Sequence, residues 1–174
     1  QGVSAYPQEV TLQMVRNFLN GGAAINVLSR LAQASVVVVD MGVLEETEPH
    51  EDLYIYRIKP GTDDISKGPA MTREEAEATI EAGIEVAQKE IEKGTRVIAI
   101  GEMGIGNTSA SSAILSVLSG LKVEKVVGRG TGVSKEALDK KIMLIDQAIN
   151  INLPNPNDPL DVLAKVGGLE IGGM

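Results

Sequence analysis

The stretch "RVIAIGEMGIGNTSASSAILSVL", Arg96 to Leu118, decides the fold. Val97 to Ile100 form a short continuous apolar run, the pattern of a strand covered on both faces. Gly101, Gly104 and Gly106 follow as a glycine-rich loop, and the small residues after Asn107 read as a helix. Strand, glycine loop and helix in that order form a unit of an α/β fold, with the loop at the C-terminal edge of a parallel sheet. The helix start aims free N–H groups and a positive dipole end at the loop, so Gly104, Ile105, Gly106, Asn107 and Thr108 form a candidate phosphate cradle. The loop is neither a Walker A motif nor a Rossmann fingerprint. Glu102 is its one acid. It either accepts hydrogen bonds from nearby backbone N–H groups or serves the chemistry, and the residues alone leave both roles open.

The same alternation extends in both directions. Pro7 at a first helical position opens a helix whose apolar face holds Val10, Met14, Val15 and Phe18, and "NGG" (Asn20 to Gly22) stops it. A second helix runs from about Ala23 to Ala32. Val36 to Val39 read as a buried strand ending at Asp40, and Leu53 to Ile58 as another. Thr72, with Glu75 three residues on, forms a capping box. The helix behind it has Ala76, Ile80, Ile84, Ala87 and Ile91 as its apolar stripe and ends at Gly94. "VEKVV" (Val123 to Val127) reads as a short strand before a second glycine turn, "GRGTG", which contains Gly128, Arg129 and Gly130. Ser134 caps a helix to about Ile149 with Leu138, Ile142 and Ile145 inward, and Asp158 with Pro159 opens a last helix. The expected architecture is a three-layer α/β domain, a mainly parallel sheet with helices on both faces. Asp40, the 101–108 loop and the 128–132 loop fall at the sheet edge where such folds bind ligands. Lys135, Lys140 and Lys141 follow on the next helix, either as a solvated face or as charge for an anion there.

Composition narrows the function classes. The 174 residues are about the size of one domain, and with 43% hydrophobic but only 2% aromatic residues the core is aliphatic. Cysteine is absent, which excludes disulfides and thiolate chemistry and fits a cytoplasmic protein. A formal charge of −8 argues against a nucleic-acid surface but not against an anionic small ligand. No apolar run is long enough to span a bilayer. His50, the sole histidine, lies in the acidic stretch "EETEPHEDL", and no histidine triad or metal cluster can be built around it. No metal and no cofactor are expected. The start at Gln1 and the ending "VGGLEIGGM", where a helix opens, read as a piece of a larger protein cut at both ends.

Four stretches, "GVSAYPQEVTLQMVRNFLNGGAAINVL", "GEMGIGNT", "VGRGTG" and "DPLDVLAKVGGLEI", resemble the nicotinate-nucleotide–dimethylbenzimidazole phosphoribosyltransferase family in the family's order, from Gly2 to about Gly172. The resemblance implies homodimers with a large Rossmann-like domain and a small helical domain built from both termini, the latter mostly outside this chain. It implies transfer of the phosphoribosyl group of nicotinate mononucleotide to 5,6-dimethylbenzimidazole, giving α-ribazole 5′-phosphate and nicotinate. By match to the family's motifs, Gly104 to Thr108 would hold the phosphate, with Gly128, Arg129, Gly130 and Lys140 or Lys141 beside it. Ser4 and Gln13 fall in the segment resembling the benzimidazole-binding region, and Glu102 matches a glutamate near the reacting centre. The family's principal catalytic glutamate belongs to a C-terminal region not contained in these residues. The rival expectation is a non-catalytic nucleotide-binding or transport-accessory protein that keeps only the phosphate loops.

Overall fold

The computed structural model describes residues 6–128 and 134–174. Helices α1 (Glu9–Leu19) and α2 (Ala24–Ala32) precede strands β1 (Val38–Asp40) and β2 (Leu53–Ile55). Then follow α3 (Arg73–Glu92), α4 (Thr108–Ser119), α5 (Val123–Val126), α6 (Lys135–Asn152), α7 (Pro159–Val166) and α8 (Leu169–Gly173). β1 and β2 pair in parallel, with Val38 opposite Leu53 and Asp40 opposite Ile55. The α/β class with parallel strands is therefore as the sequence implies, though the sheet of the described residues has two strands.

Helix boundaries follow local chemistry. At α3, the Glu75 N–H donates to Thr72 Oγ1 (3.1 Å) while the Thr72 N–H donates to Glu75 Oε2 (2.8 Å), the reciprocal bonds of a capping box. Ser134 accepts the Ala137 N–H at the start of α6, and Asp158 accepts the Asp161 N–H before Pro159 at the start of α7. Thr72→Ala is expected to cost about 1 kcal/mol, read as a lowered denaturation midpoint at unchanged slope. An unchanged midpoint would show that tertiary packing alone holds this end of α3.

α7 joins two packed regions. Leu163 and Ala164 pack with Met41, Ala70, Met71, Ala76, Ala82 and Leu169. Val162 and Val166, on its other side, pack with Ala113, Val123 and Ile145. The Ala70 and Met71 N–H groups donate to the Lys165 and Ala164 carbonyls (3.0 and 2.9 Å), which fixes the entry of α3 against α7.

Three readings of the sequence are corrected. Val97 to Ile100 join no strand ladder among the described residues, and Val97, Ile98 and Ile100 are exposed. An apolar run becomes a sheet strand only where a neighbouring edge offers hydrogen bonds, and the described part of the chain places none beside it. Val123 to Val127 are not a strand. Val123 to Val126 form the single turn α5, because one side chain, Val123, is buried, packing with Ala113 and Ile145. That packing overrides the β-preference of valine. The isoleucine stripe of α3 is not its packed face. Ile80, Ile84 and Ile91 are exposed, whereas Ala76, Thr79 and Ala82 are buried. The reason lies in α8, whose Gly172 and Gly173 approach α3 so closely that only small side chains fit between. A Cβ at Gly172 would overlap Thr79 Oγ1, and one at Gly83 would run into the Gly173 carbonyl oxygen.

Candidate functional site

Two turns carry the candidate residues, the one leaving β1 and the one following the segment 97–100. Asp40 closes β1 with only 1% of its surface exposed. Its Oδ1 accepts the Gly42 and Val43 N–H groups (2.9 and 2.7 Å) and its Oδ2 accepts the Thr47 hydroxyl (2.7 Å). All these partners lie on the turn that leaves β1, so Asp40 shapes that turn. Arg57, just after β2, pins the same connection, donating from Nε to the Val43 carbonyl (3.0 Å) and from Nη2 to the Leu44 carbonyl (2.6 Å). Gly42 then abuts Leu169, which brings the start of α8 to the C-terminal edge of the sheet.

The 101–108 loop is organised by Glu102. Its Oε2 accepts both the Gly104 N–H and the Asn107 side-chain amide. Asn107 holds the N-cap position of α4 but makes no side-chain cap, since its amide is turned back to Glu102. The first N–H groups of α4 are thus left without a side-chain acceptor and point toward the loop. Gly104 (φ +81°) and Gly106 (φ +83°) occupy the left-handed region, where a side chain is strained. Among the described residues, no atom beyond its two chain neighbours lies within 4 Å of a Cβ placed on Gly106, so the backbone there is open to close approach.

Lys141 is the cation of this loop. It projects from α6, is only 5% exposed, and donates from Nζ to Thr108 Oγ1 (2.7 Å) at the first turn of α4. Burial pushes its ammonium below the usual lysine range. Lys140 is exposed, so of the two candidate lysines the structure directs Lys141 to the loop. An anion at the start of α4 would meet backbone N–H groups, the Thr108 hydroxyl and this ammonium together.

The other expected residues are placed less closely. Gln13 lies on the exposed side of α1, and among the described residues no hydrogen bond or ion pair joins it to the loop. Gly128 is exposed after α5. Ser4, Arg129 and Gly130 lie outside the described residues. His50 is exposed and its Nδ1 accepts the Asp52 N–H (3.1 Å). Among the described residues no His, Cys, Asp or Glu cluster of metal-holding size occurs, and no helix is long and apolar enough to cross a membrane.

One acid escaped the sequence reading. Glu170, on α8, is half-buried. Burial pushes its carboxyl above the usual range, its own N–H opposes the shift, and the negative charge of Glu102 adds to it. The available signal was an acid set among glycines in "VGGLEIGGM", a place where a helix opens beside tight packing.

Comparison with known proteins gives the family. The chain is 57% identical over its full length to a protein of Halalkalibacterium halodurans named nicotinate-nucleotide–dimethylbenzimidazole phosphoribosyltransferase, and covers 48% of that protein. It is 54% identical over its full length to one of the same name from Desulforamulus reducens, covering 50% of it. The crystal structure of CobT from Thermus thermophilus superposes with a TM-score of 0.94 at 48% identity, over 99% of this chain and 51% of that one. The chain thus spans about half the length of the relatives it matches, and those relatives bear the names of transferases rather than of binding or transport-accessory proteins. A family model described as phosphoribosyltransferase matches residues 1–174, and the chain belongs to that phosphoribosyltransferase family.

Proposed function

We propose that the chain forms the phosphoribosyl-phosphate half of an enzyme that moves the phosphoribosyl group of nicotinate mononucleotide to 5,6-dimethylbenzimidazole, releasing nicotinate and α-ribazole 5′-phosphate. The observation that carries this reading is Lys141, buried and bonded to Thr108 at the uncapped start of α4, behind a loop with Gly104 and Gly106 at positive φ. A phosphate seated there is held by charge-assisted hydrogen bonds.

The chemistry asks little else of these residues. The glycosidic nitrogen of nicotinate mononucleotide is already a pyridinium, so its departure needs no acid. Glu102 stands on the loop as a carboxylate able to stabilise positive charge developing at C1′. The homodimer implied by the family resemblance and the cytoplasmic location expected from the cysteine-free composition belong to the same reading. So do Gln13 and Ser4 as benzimidazole contacts, and Arg129 and Gly130 as neighbours of the phosphate.

The test is Lys141→Met. Nicotinate mononucleotide is expected to bind on the order of tenfold to hundredfold more weakly, the size of one charge-assisted hydrogen bond. Unchanged affinity by calorimetry would remove Lys141, and the phosphate site built on it, from the reading. The pH dependence has a definite sign. Lys141 gives up its proton below the usual lysine range, so the alkaline loss of affinity begins at lower pH than for an ordinary lysine. That loss is absent in Lys141→Met.

A further inference from the structure

Glu102 rides on a stretch, 96–106, that contains neither helix nor strand. Among the described residues, one hydrogen bond ties that stretch to the helix after it, the bond from the Asn107 side-chain amide to Glu102 Oε2. The second bond on Oε2 comes from the Gly104 N–H, which belongs to the same loop and moves with it. Asn107 is anchored differently. Its carbonyl accepts the Ser111 N–H (3.0 Å) and the Ser111 hydroxyl (3.2 Å), both on the first turns of α4. α4 is fixed in turn by Ala113, fully buried in a cluster with Val123 and Ile145.

Asparagine at a helix start ordinarily accepts a backbone N–H of the first turn and so stabilises the helix. Asn107 makes no such bond and gives its amide to a carboxylate instead. A local rule broken in this way marks a place where something other than helix stability sets the arrangement. The consequence is at Glu102. Both donors converge on Oε2, and among the described residues no donor reaches Oε1. One oxygen is held and the other is left for a bound molecule.

We propose that Asn107 is a positioning residue of the transfer reaction, tying the Glu102 carboxylate to the anchored start of α4 so that its second oxygen stays aimed at the reacting sugar carbon. This rests on the phosphoribosyl reading of the loop, in which Glu102 stabilises charge developing at C1′. The family resemblance assigns Asn107 to the phosphate instead. The two roles separate in kinetics, because a lost phosphate contact appears in the Michaelis constant and a misplaced carboxylate in kcat.

The experiment is steady-state transfer from nicotinate mononucleotide to 5,6-dimethylbenzimidazole by the full chain. Asn107→Ala is expected to lower kcat on the order of tenfold to hundredfold, the effect of a small misplacement at a reacting centre, with the Michaelis constant for nicotinate mononucleotide moved less than about threefold. Because Asn107 makes no side-chain cap, this variant removes the link to Glu102 and leaves α4 its backbone bonds. Asn107→Asp keeps the size, loses the donor and sets a like charge against Glu102, so it is expected to lose at least as much. In a Glu102→Gln background, Asn107→Ala is expected to cost less than about threefold more, since the bond no longer aims a charge. Parent kcat in Asn107→Ala overturns the proposal, and so do additive losses in the double variant. A raised Michaelis constant at unchanged kcat assigns Asn107 to the phosphate and overturns it as well. Absence of transfer by the unsubstituted full chain overturns the phosphoribosyl reading and the proposal with it. NMR of the side-chain amides gives a check independent of turnover. The Asn107 amide signal is expected to lie downfield in the unsubstituted chain and to return toward the free-amide position in Glu102→Ala, and identical signals in the two overturn the proposal.

Discussion

Glu102→Gln is expected to lower kcat for phosphoribosyl transfer about 10²-fold, the low end for a group that stabilises charge or moves a proton at the reacting centre. The Michaelis constant for nicotinate mononucleotide should move much less. The structure makes this substitution informative because Glu102 has a second duty. Its Oε2 accepts the Gly104 N–H and the Asn107 amide, and so shapes the loop. Glutamine keeps an oxygen that can accept from both donors, so the loop is retained while the charge is lost. Alanine loses both. If Glu102 served only as scaffold, Glu102→Gln would run at the parent rate and Glu102→Ala alone would be impaired. If charge is what the reaction uses, the two variants share the loss in kcat. Only alanine then also weakens binding, because Asn107 is released from Glu102 and becomes free to cap α4 over the anion site.

The second large effect is on stability, and its sign opposes helix propensity. Gly83 lies inside the twenty-residue helix α3. On an exposed helix face, glycine to alanine gains about 1 kcal/mol. Here a Cβ would run into the Gly173 carbonyl oxygen and stand 2.8 Å from the Gly173 carbonyl carbon, both backbone atoms of α8 that cannot rotate aside. The clash moves α8, and α8 carries Leu169, which is 3% exposed against Met41 and Ala82. Overpacking of this kind costs about 1–3 kcal/mol, and uncovering a leucine adds up to about 2. The losses exceed the propensity gain, so Gly83→Ala is expected to destabilise the protein by roughly 2 kcal/mol. For a chain of this length that lowers Tm by roughly 4–8 °C. Hydrogen exchange should quicken first in α8 and at the turn after β1. A raised Tm would mean that α8 does not pack on α3 as described.

What was legible in the sequence was local. The capping box at Thr72 and Glu75, the Ser134 cap, and Asp158 with Pro159 stand where they were read, because each depends on bonds spanning three or four residues. The glycine loop and the following helix were legible for the same reason, since positive φ at Gly104 and Gly106 and the start of α4 are settled within the loop. The α/β class followed from the alternation of apolar runs and amphipathic helices. Tertiary structure decided the rest. Lys140 and Lys141 are neighbours of one chemistry, and only the packing of α6 against α4 buries one beside Thr108 and leaves the other exposed. The isoleucines of α3 outrank its alanines in hydrophobicity, yet the alanine face is buried because α8 approaches through glycines and excludes larger side chains. Val97 to Ile100 have the composition of a strand, but a strand is a relation between two segments, and no local pattern supplies the partner. The seating of α8 shows the same limit, because Gly42, Thr79 and Gly83 lie far from it along the chain and meet its glycine-rich turn only in the folded protein.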